Sequence, residues 1–241
     1  MLIPYAMTFL RRREVYHWVM RRLLHLCLAL AACVVAPVRA DDYLDPGGST
    51  FLDLGVFDTP LSYADGDHKA QVGQYGVAFS TPLGGDVSAE LHGGYGTLQV
   101  DDEPQPTPFD FTGRYLGVMA RYEGTEGDYF NFSAELGYTW NDVDGNSFAT
   151  QPSEIVWYET WAAVGPVLRY DRWRLSFGAY LQHLQGNETD DQPARELDFH
   201  SRRSVGGYAG IAFYMDHENS IRLYATGGAR QGLQLVFRRD F

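Results

Sequence analysis

Asp198, His200 and Ser201 stand within four residues of one another and are the side-chain types of a hydrolase's acid, base and nucleophile. A triad is built from separated elements, because neighbours on one strand or loop seldom face one another. This string is therefore expected to carry no catalysis. Asp142-Val-Asp144-Gly-Asn146 sets acids at alternate positions, as calcium loops do, but Ser147 and Ser153 stand where an EF-hand needs its Gly and its Glu. The acidic runs Asp101-Asp102-Glu103 and Glu188 to Asp191 read as solvated loops, with weak divalent-cation binding as the alternative. His92, close to Glu90, reads as a hydrogen-bonding partner and not a metal ligand. His68, His183, His200 and His217 read as solvent-exposed. No catalytic residue, metal ligand or cofactor is expected.

The elements that position these groups are strands. In Tyr129-Phe-Asn-Phe-Ser-Ala-Glu-Leu-Gly-Tyr-Thr-Trp140, Phe130, Phe132, Ala134, Leu136, Tyr138 and Trp140 share one face, and Asn131, Ser133, Glu135, Gly137 and Thr139 the other. The same alternation predicts strands at about 50–58, 70–80, 86–99, 112–122, 156–170, 173–184, 202–214, 220–228 and 231–241, which makes ten. Segments 81–85, 123–128, 171–172 and 215–219 are short, whereas 59–69, 100–111, 141–155 and 185–201 are long and polar. The two kinds alternate along the chain. The hairpin near Gly227-Gly228-Ala229-Arg230 breaks the rule with a tight turn; if its strands merge and another is lost, the count falls to eight.

The polar faces carry Gly, Ser, Tyr and Gln with isolated charges, and the opposite faces are apolar. A soluble sandwich would place Lys and Glu freely on its polar faces. A closed barrel with lipid outside and a narrow lumen inside calls for this composition instead. Such a lumen receives Asp53, Glu90, Glu135 and Glu159 alongside Arg121, Arg169, Arg174, Arg222 and Arg238. Tyr208 and Tyr224 are expected to point inward as well, and Tyr75 and Tyr115 are left open. Burial of unpaired charge is costly, so the nine charged groups are expected to form a plug of ion pairs. Tyr122, Tyr129, Tyr170, Trp173, Tyr214 and Phe241 gather beside short turns, and Trp140, Trp157 and Tyr63 beside long loops, which predicts two aromatic girdles.

Arg21 and Arg22 precede the apolar stretch Leu23 to Val38, and Val38-Arg39-Ala40 follows, the pattern of a cleaved secretory signal peptide over residues 1–40, with Met20 as an alternative start. Leu30-Ala31-Ala32-Cys33 also fits a lipobox, so lipidation of Cys33 and cleavage after Ala40 are both open. Both cysteines, Cys27 and Cys33, lie in this leader, and residues 41–241 form the single expected domain. Residues 1–40 hold one of the chain's 31 acids and six of its 19 bases, leaving 30 against 13 and a net charge of −17. Lys69 is the one lysine. So acidic a domain excludes nucleic acid as a partner, because phosphates require clustered cations.

The run Gly232-Leu-Gln-Leu-Val-Phe-Arg-Arg-Asp-Phe241 places Leu233, Leu235, Phe237 and Phe241 on one face, with Arg239 the one polar residue among them. It resembles the closing strand of bacterial outer-membrane β-barrels. Together with the loop asymmetry and girdles, residues 49–241 resemble small barrels of the broad OmpA- and OmpX-like kind, with no specific subfamily indicated. The resemblance implies an all-β, closed antiparallel up-and-down transmembrane barrel of ten strands, or alternatively eight, in the outer membrane of a Gram-negative cell envelope. It implies outer-membrane lipid and lipopolysaccharide as surroundings and Phe241 as part of the signal read by the barrel-assembly machinery. A structural, surface-exposed role with a possible extracellular ligand at the acidic loops is expected first. A narrow porin-like channel for small solutes comes second. A rim-site enzyme comes third, and the His-x-Ser-Asn string of the deacylases is not present.

Overall fold

The structure is a computed structural model that describes residues 48–63, 66–101, 110–124, 129–145, 153–191 and 194–241. The expected leader, with Met20, Cys27 and Cys33, lies outside the described residues. These residues form eleven strands and no helix: β1 (Ser49–Tyr63), β2 (Gly66–Gly84), β3 (Val87–Asp101), β4 (Asp110–Glu123), β5 (Phe130–Gly145), β6 (Ser153–Tyr170), β7 (Trp173–Asp191), β8 (Ala194–Ser201), β9 (Val205–Tyr214), β10 (Asn219–Gly227) and β11 (Gln231–Asp240).

All pairings are antiparallel, and β11 pairs with β1 from Ser49↔Asp240 to Asp58↔Gln231, so the sheet closes on itself. Followed through β7, β9, β10 and β11, the ring has ten strands. A second circuit lies above it. β8 pairs with β7 from Gln185↔His200 to Asp191↔Ala194 and with Leu61–Tyr63 of β1, which closes a ring of eight. The β10–β11 hairpin stops short of this level, and β8 crosses over its tip to reach β1. Gly228, at φ 99°, supplies the left-handed backbone that this tight turn requires. At the opposite end Asp171 takes φ 52° in the two-residue β6–β7 turn.

The strands overrun the segments that read as long loops. β2 and β7 have 19 residues each and β6 has 18, whereas about 9–11 tilted residues span a bilayer. The surplus lies at the loop end, where the alternation keeps its parity and reverses its polarity. On β5 the outward face changes from Phe132, Leu136 and Tyr138 to Asp142 and Asp144, while the inward face changes from Ser133 and Glu135 to the fully buried Val143. Polar outward residues gave 59–69, 141–155 and 185–201 the look of loops. Their described parts, 59–63, 66–69, 141–145, 153–155, 185–191 and 194–201, are paired strand.

The interior at this end is one apolar cluster: Leu61 and Tyr63, Ala70 and Val72, Leu98, Phe111, Val143, Ile155 and Trp157, Leu184 and Phe199. Each of the eight strands of the outer ring contributes to it, and no member is more than 9% exposed. Trp157 and Tyr63 belong here and not to an outer girdle, because their parity turns them inward. Tyr214 likewise falls on the inward parity of β9. The aromatic band at the loop side of the apolar wall is instead Tyr75 against Tyr95 (ring centroids 5.1 Å apart) and Tyr138 against Tyr158 (6.1 Å). Tyr122, Tyr129, Tyr170, Trp173 and Phe241 form the band at the turn end, and all five are exposed.

Candidate functional site: the barrel interior

Below the apolar cluster the ten-stranded ring encloses a polar lumen with a cavity of about 170 Å³. Strand alternation alone sends its side chains inward, since every second residue of a wall strand faces the axis. Glu135 and Arg121 are cross-strand partners on β5 and β4, with Arg121 Nε 2.7 Å from Glu135 Oε1. Arg174 donates Nη2 to Glu123 Oε2 (2.7 Å) and Nε to Oε1 (3.1 Å), and Arg169 adds Nη2 to Oε1 at 2.6 Å. One carboxylate thus serves two guanidinium groups. Arg238 bonds Asp240 Oδ1 and the Ser49 hydroxyl, its guanidinium 5.3 Å from the Phe51 ring centre.

Toward the apolar cluster, Glu159 Oε1 accepts from Arg230 Nη1 at 2.9 Å. The Arg230 guanidinium lies 3.7 Å from the centre of the Phe57 ring. Its backbone N–H donates to the Tyr180 hydroxyl (2.7 Å), which donates to the Arg230 carbonyl (2.8 Å). These bonds tie the β10–β11 tip into the lumen. Asp53 Oδ2 accepts from the Gln234 amide at 2.6 Å, and Oδ1 is buried without a partner. Glu90 lies 3.7 Å from His92 Nδ1, and His92 Nε2 is 3.2 Å from the Thr139 hydroxyl. Tyr115, Tyr208 and Tyr224 line the cavity with Trp161, whose indole lies over Gly137, 2.5 Å from where a Cβ would stand. Tyr75 faces outward, as its ring pairing with Tyr95 shows.

All nine charged residues singled out from the sequence thus sit on the inward face, but their partners differ from the expected ones. Glu135 takes Arg121, not Arg174 or Arg222. Glu123, Arg230 and Asp240 complete the network, and spacing flagged none of them as a site. Glu123 had a usable signal, since it continues the parity of Arg121 by one step; Arg230 in its turn had none. Arg222 is set apart. It is 2% exposed, its Nε has no partner, and among the described residues no acid forms an ion pair with it.

The other constellations do not assemble. Ser201 points inward and accepts from the Leu184 N–H at 3.2 Å, whereas Asp198 and His200 are exposed on the outer face of β8. Asp216 accepts from the Asn219 side chain and from the Glu218 and Asn219 backbone N–H groups in the β9–β10 turn, bonds that hold its carboxyl below the usual range. Carboxylate oxygens of Asp142, Asp144 and Glu154 lie within 4.8 Å of one another at the loop end. Arg114 already pairs with Asp142 at 3.1 Å. Asn146, Ser147, Asp102 and Glu103 lie outside the described residues.

Apolar outside and charged inside over the height of the ten-stranded ring, the chain is a closed antiparallel β-barrel with the inside-out order of membrane-spanning barrels. No family model matches the sequence, and no curated protein is similar to it at the sequence level. Among solved structures it is similar to the translocator domain of autotransporter NalP from Neisseria meningitidis (TM-score 0.44, 11% identity, covering 95% of this chain and 98% of that one). It is also similar to the outer membrane protease OmpT from Escherichia coli (0.47, 8%, 85% and 99%) and to Ail, the attachment invasion locus protein of Yersinia pestis (0.38, 11%, 81% and 99%). The closed ring itself rests on the ladders described above.

Proposed function

We propose that residues 41–241 are an integral outer-membrane barrel that presents its loop end to the exterior as a compact, acidic, surface-exposed platform and conducts no general solute flux. The leader over residues 1–40 directs export, lipid and lipopolysaccharide surround the apolar wall, and the barrel-assembly machinery inserts the chain. The observation that carries this reading is the apolar cluster of the eight-stranded ring. A chain of side chains from Leu61 to Phe199, all nearly buried, occupies the bore above the polar lumen. A conducting path would have to cross this dry layer. Meanwhile the outward Val77, Leu136 and Leu181 are each more than half exposed, an apolar wall that water would not tolerate at this extent.

Two measurements test it together. Fractionation of cells expressing the full chain should place it in the outer membrane, with the wall strands resistant to a protease added outside. Planar bilayers holding the purified protein should show no steady conductance. A stable open channel, or recovery in the soluble periplasmic fraction, would overturn the proposal.

A further inference from the structure

Arg222 is the one inward arginine among the described residues that the lumen leaves without a counter-charge. The acids of the lumen take other partners: Glu135 has Arg121, Glu123 has Arg169 and Arg174, Asp240 has Arg238, Glu159 has Arg230, and Asp53 has Gln234 on Oδ2 while its Oδ1 has no partner. Glu90 stands beside His92. The ladders fix what surrounds Arg222. Its cross-strand partners are Ala212 on β9 and Val236 on β11, so two apolar side chains flank it in its own row. The next residues in that row are Arg174 beyond Ala212 and Asp53 beyond Val236, each two strand spacings away, about 10 Å at the backbone. Arg238 is its diagonal neighbour, since it pairs with Ser220, two residues before Arg222. Ser220 Oγ, on the same face, is buried with no partner. Arg222, Arg174 and Tyr224 all line the cavity.

A buried guanidinium with no counter-charge is among the costliest groups a protein can hold. Here it borders a cavity, beside two further guanidinium groups whose acids are already shared or occupied. We propose that this part of the lumen is a binding site for a small oxyanion, a carboxylate or phosphate group, which Arg222 holds through its planar fork while Arg174, Arg238 and the Ser220 hydroxyl add positive potential and a donor. The anion enters from the turn end. There Arg169 and Arg238 keep 38% and 25% of their side-chain surface exposed, whereas the opposite end is filled by the apolar cluster. This goes beyond the proposed surface role and does not depend on it, because the site is intact in any folded barrel.

The test uses the full-length mature barrel in detergent micelles, with inorganic phosphate and, separately, acetate titrated at constant ionic strength. The midpoint of heat-induced barrel loss is read on unboiled gels. It should rise saturably, by roughly 3 °C when phosphate is tenfold above its dissociation constant. The rise should vanish in Arg222→Gln and persist in Arg114→Gln, which removes the same charge from the outer face. Without added anion, Arg222→Met should match or exceed the wild-type midpoint, because it removes an uncompensated charge. Arg222→Lys, which retains the charge and so the fold, should bind phosphate about tenfold more weakly. Absence of a saturable rise in the wild-type barrel overturns the proposal, as does an unchanged response in Arg222→Gln. So does a response that emerges only in Asp53→Asn, which would show that Arg222 reaches across Val236 to Asp53 in solution.

Discussion

Arg121 and Glu135 are direct cross-strand partners on β4 and β5, and their side chains close a 2.7 Å ion pair on the inner wall of the barrel. Elsewhere in the lumen Glu123 on β4 reaches Arg169 on β6 and Arg174 on β7, and Glu159 on β6 reaches Arg230 in the β10–β11 turn, all across strands that are not neighbours. For Arg121 and Glu135, adjacent-strand register decides the pair. The same holds for Arg238, Ser49 and Asp240, which sit on the neighbouring β11 and β1.

Glu135→Ala should lower barrel stability, because it leaves Arg121 inside the wall without its acid. Breaking a buried pair costs about 3–5 kcal/mol. With both side chains partly open to the cavity, the loss should fall at the low end of that range. Asp198→Ala, on the exposed face of β8, should change nothing measurable. Urea unfolding of both variants in lipid vesicles decides this, and equal midpoints would contradict a structural role for the pair.

The outer apolar cluster should behave as a soluble core. Ile155→Ala and Trp157→Ala should each cost about 2–5 kcal/mol locally. The loss should be felt in the loop-end extension and not in the ten-stranded ring. Limited proteolysis should cut within 59–69 or 141–155 while the remaining barrel stays resistant. The double variant should also be the one that admits ions in planar bilayers.

On the proposal of an outer-membrane barrel, the outward Leu136 faces lipid. Leu136→Arg should cost about 2–4 kcal/mol, as a cation does near the midplane of a barrel's lipid face. His183→Arg, on the outward face of β7 where polarity has reversed, should cost little. Folding yields into vesicles of uniform thickness will separate the two; similar yields would place His183 and Leu136 in one environment.

Tyr180→Phe should loosen the β10–β11 tip, since one hydroxyl both receives the Arg230 N–H and donates to its carbonyl. Two bonds at about 1 kcal/mol each predict faster hydrogen exchange confined to residues 227–231. Exchange spread evenly over the wall would argue that the tip is not held there.

Phe241 packs its ring 5.9 Å from that of Phe79, and its backbone N–H donates to the Gly48 carbonyl at 3.0 Å. Phe241→Ala keeps the backbone bond and removes the ring. On the assembly-signal proposal, outer-membrane yield in cells should fall several-fold while refolding of the purified chain into detergent changes little. A parallel fall in both would assign Phe241 to packing alone.

Local alternation was legible in the sequence because it follows from covalent geometry: successive strand residues face opposite sides whatever the fold does later. It was enough to identify an all-β chain, to assign Tyr129–Trp140 its apolar face, and to turn Asp53, Glu135 and Arg222 inward. It could not tell which acid meets which arginine, because partners depend on the shear between strands far apart in sequence. Nor could it tell eight from ten, since both rings exist and the difference lies in where the β10–β11 hairpin stops. Polar residues at 59–69 and 141–155 looked like loop, because the wall strands exchange their polar and apolar faces toward this end without changing period. Only the closed sheet, by placing Leu61, Val143, Ile155 and Phe199 in one apolar layer, decided that their described parts, 59–63, 66–69, 141–145 and 153–155, are wall.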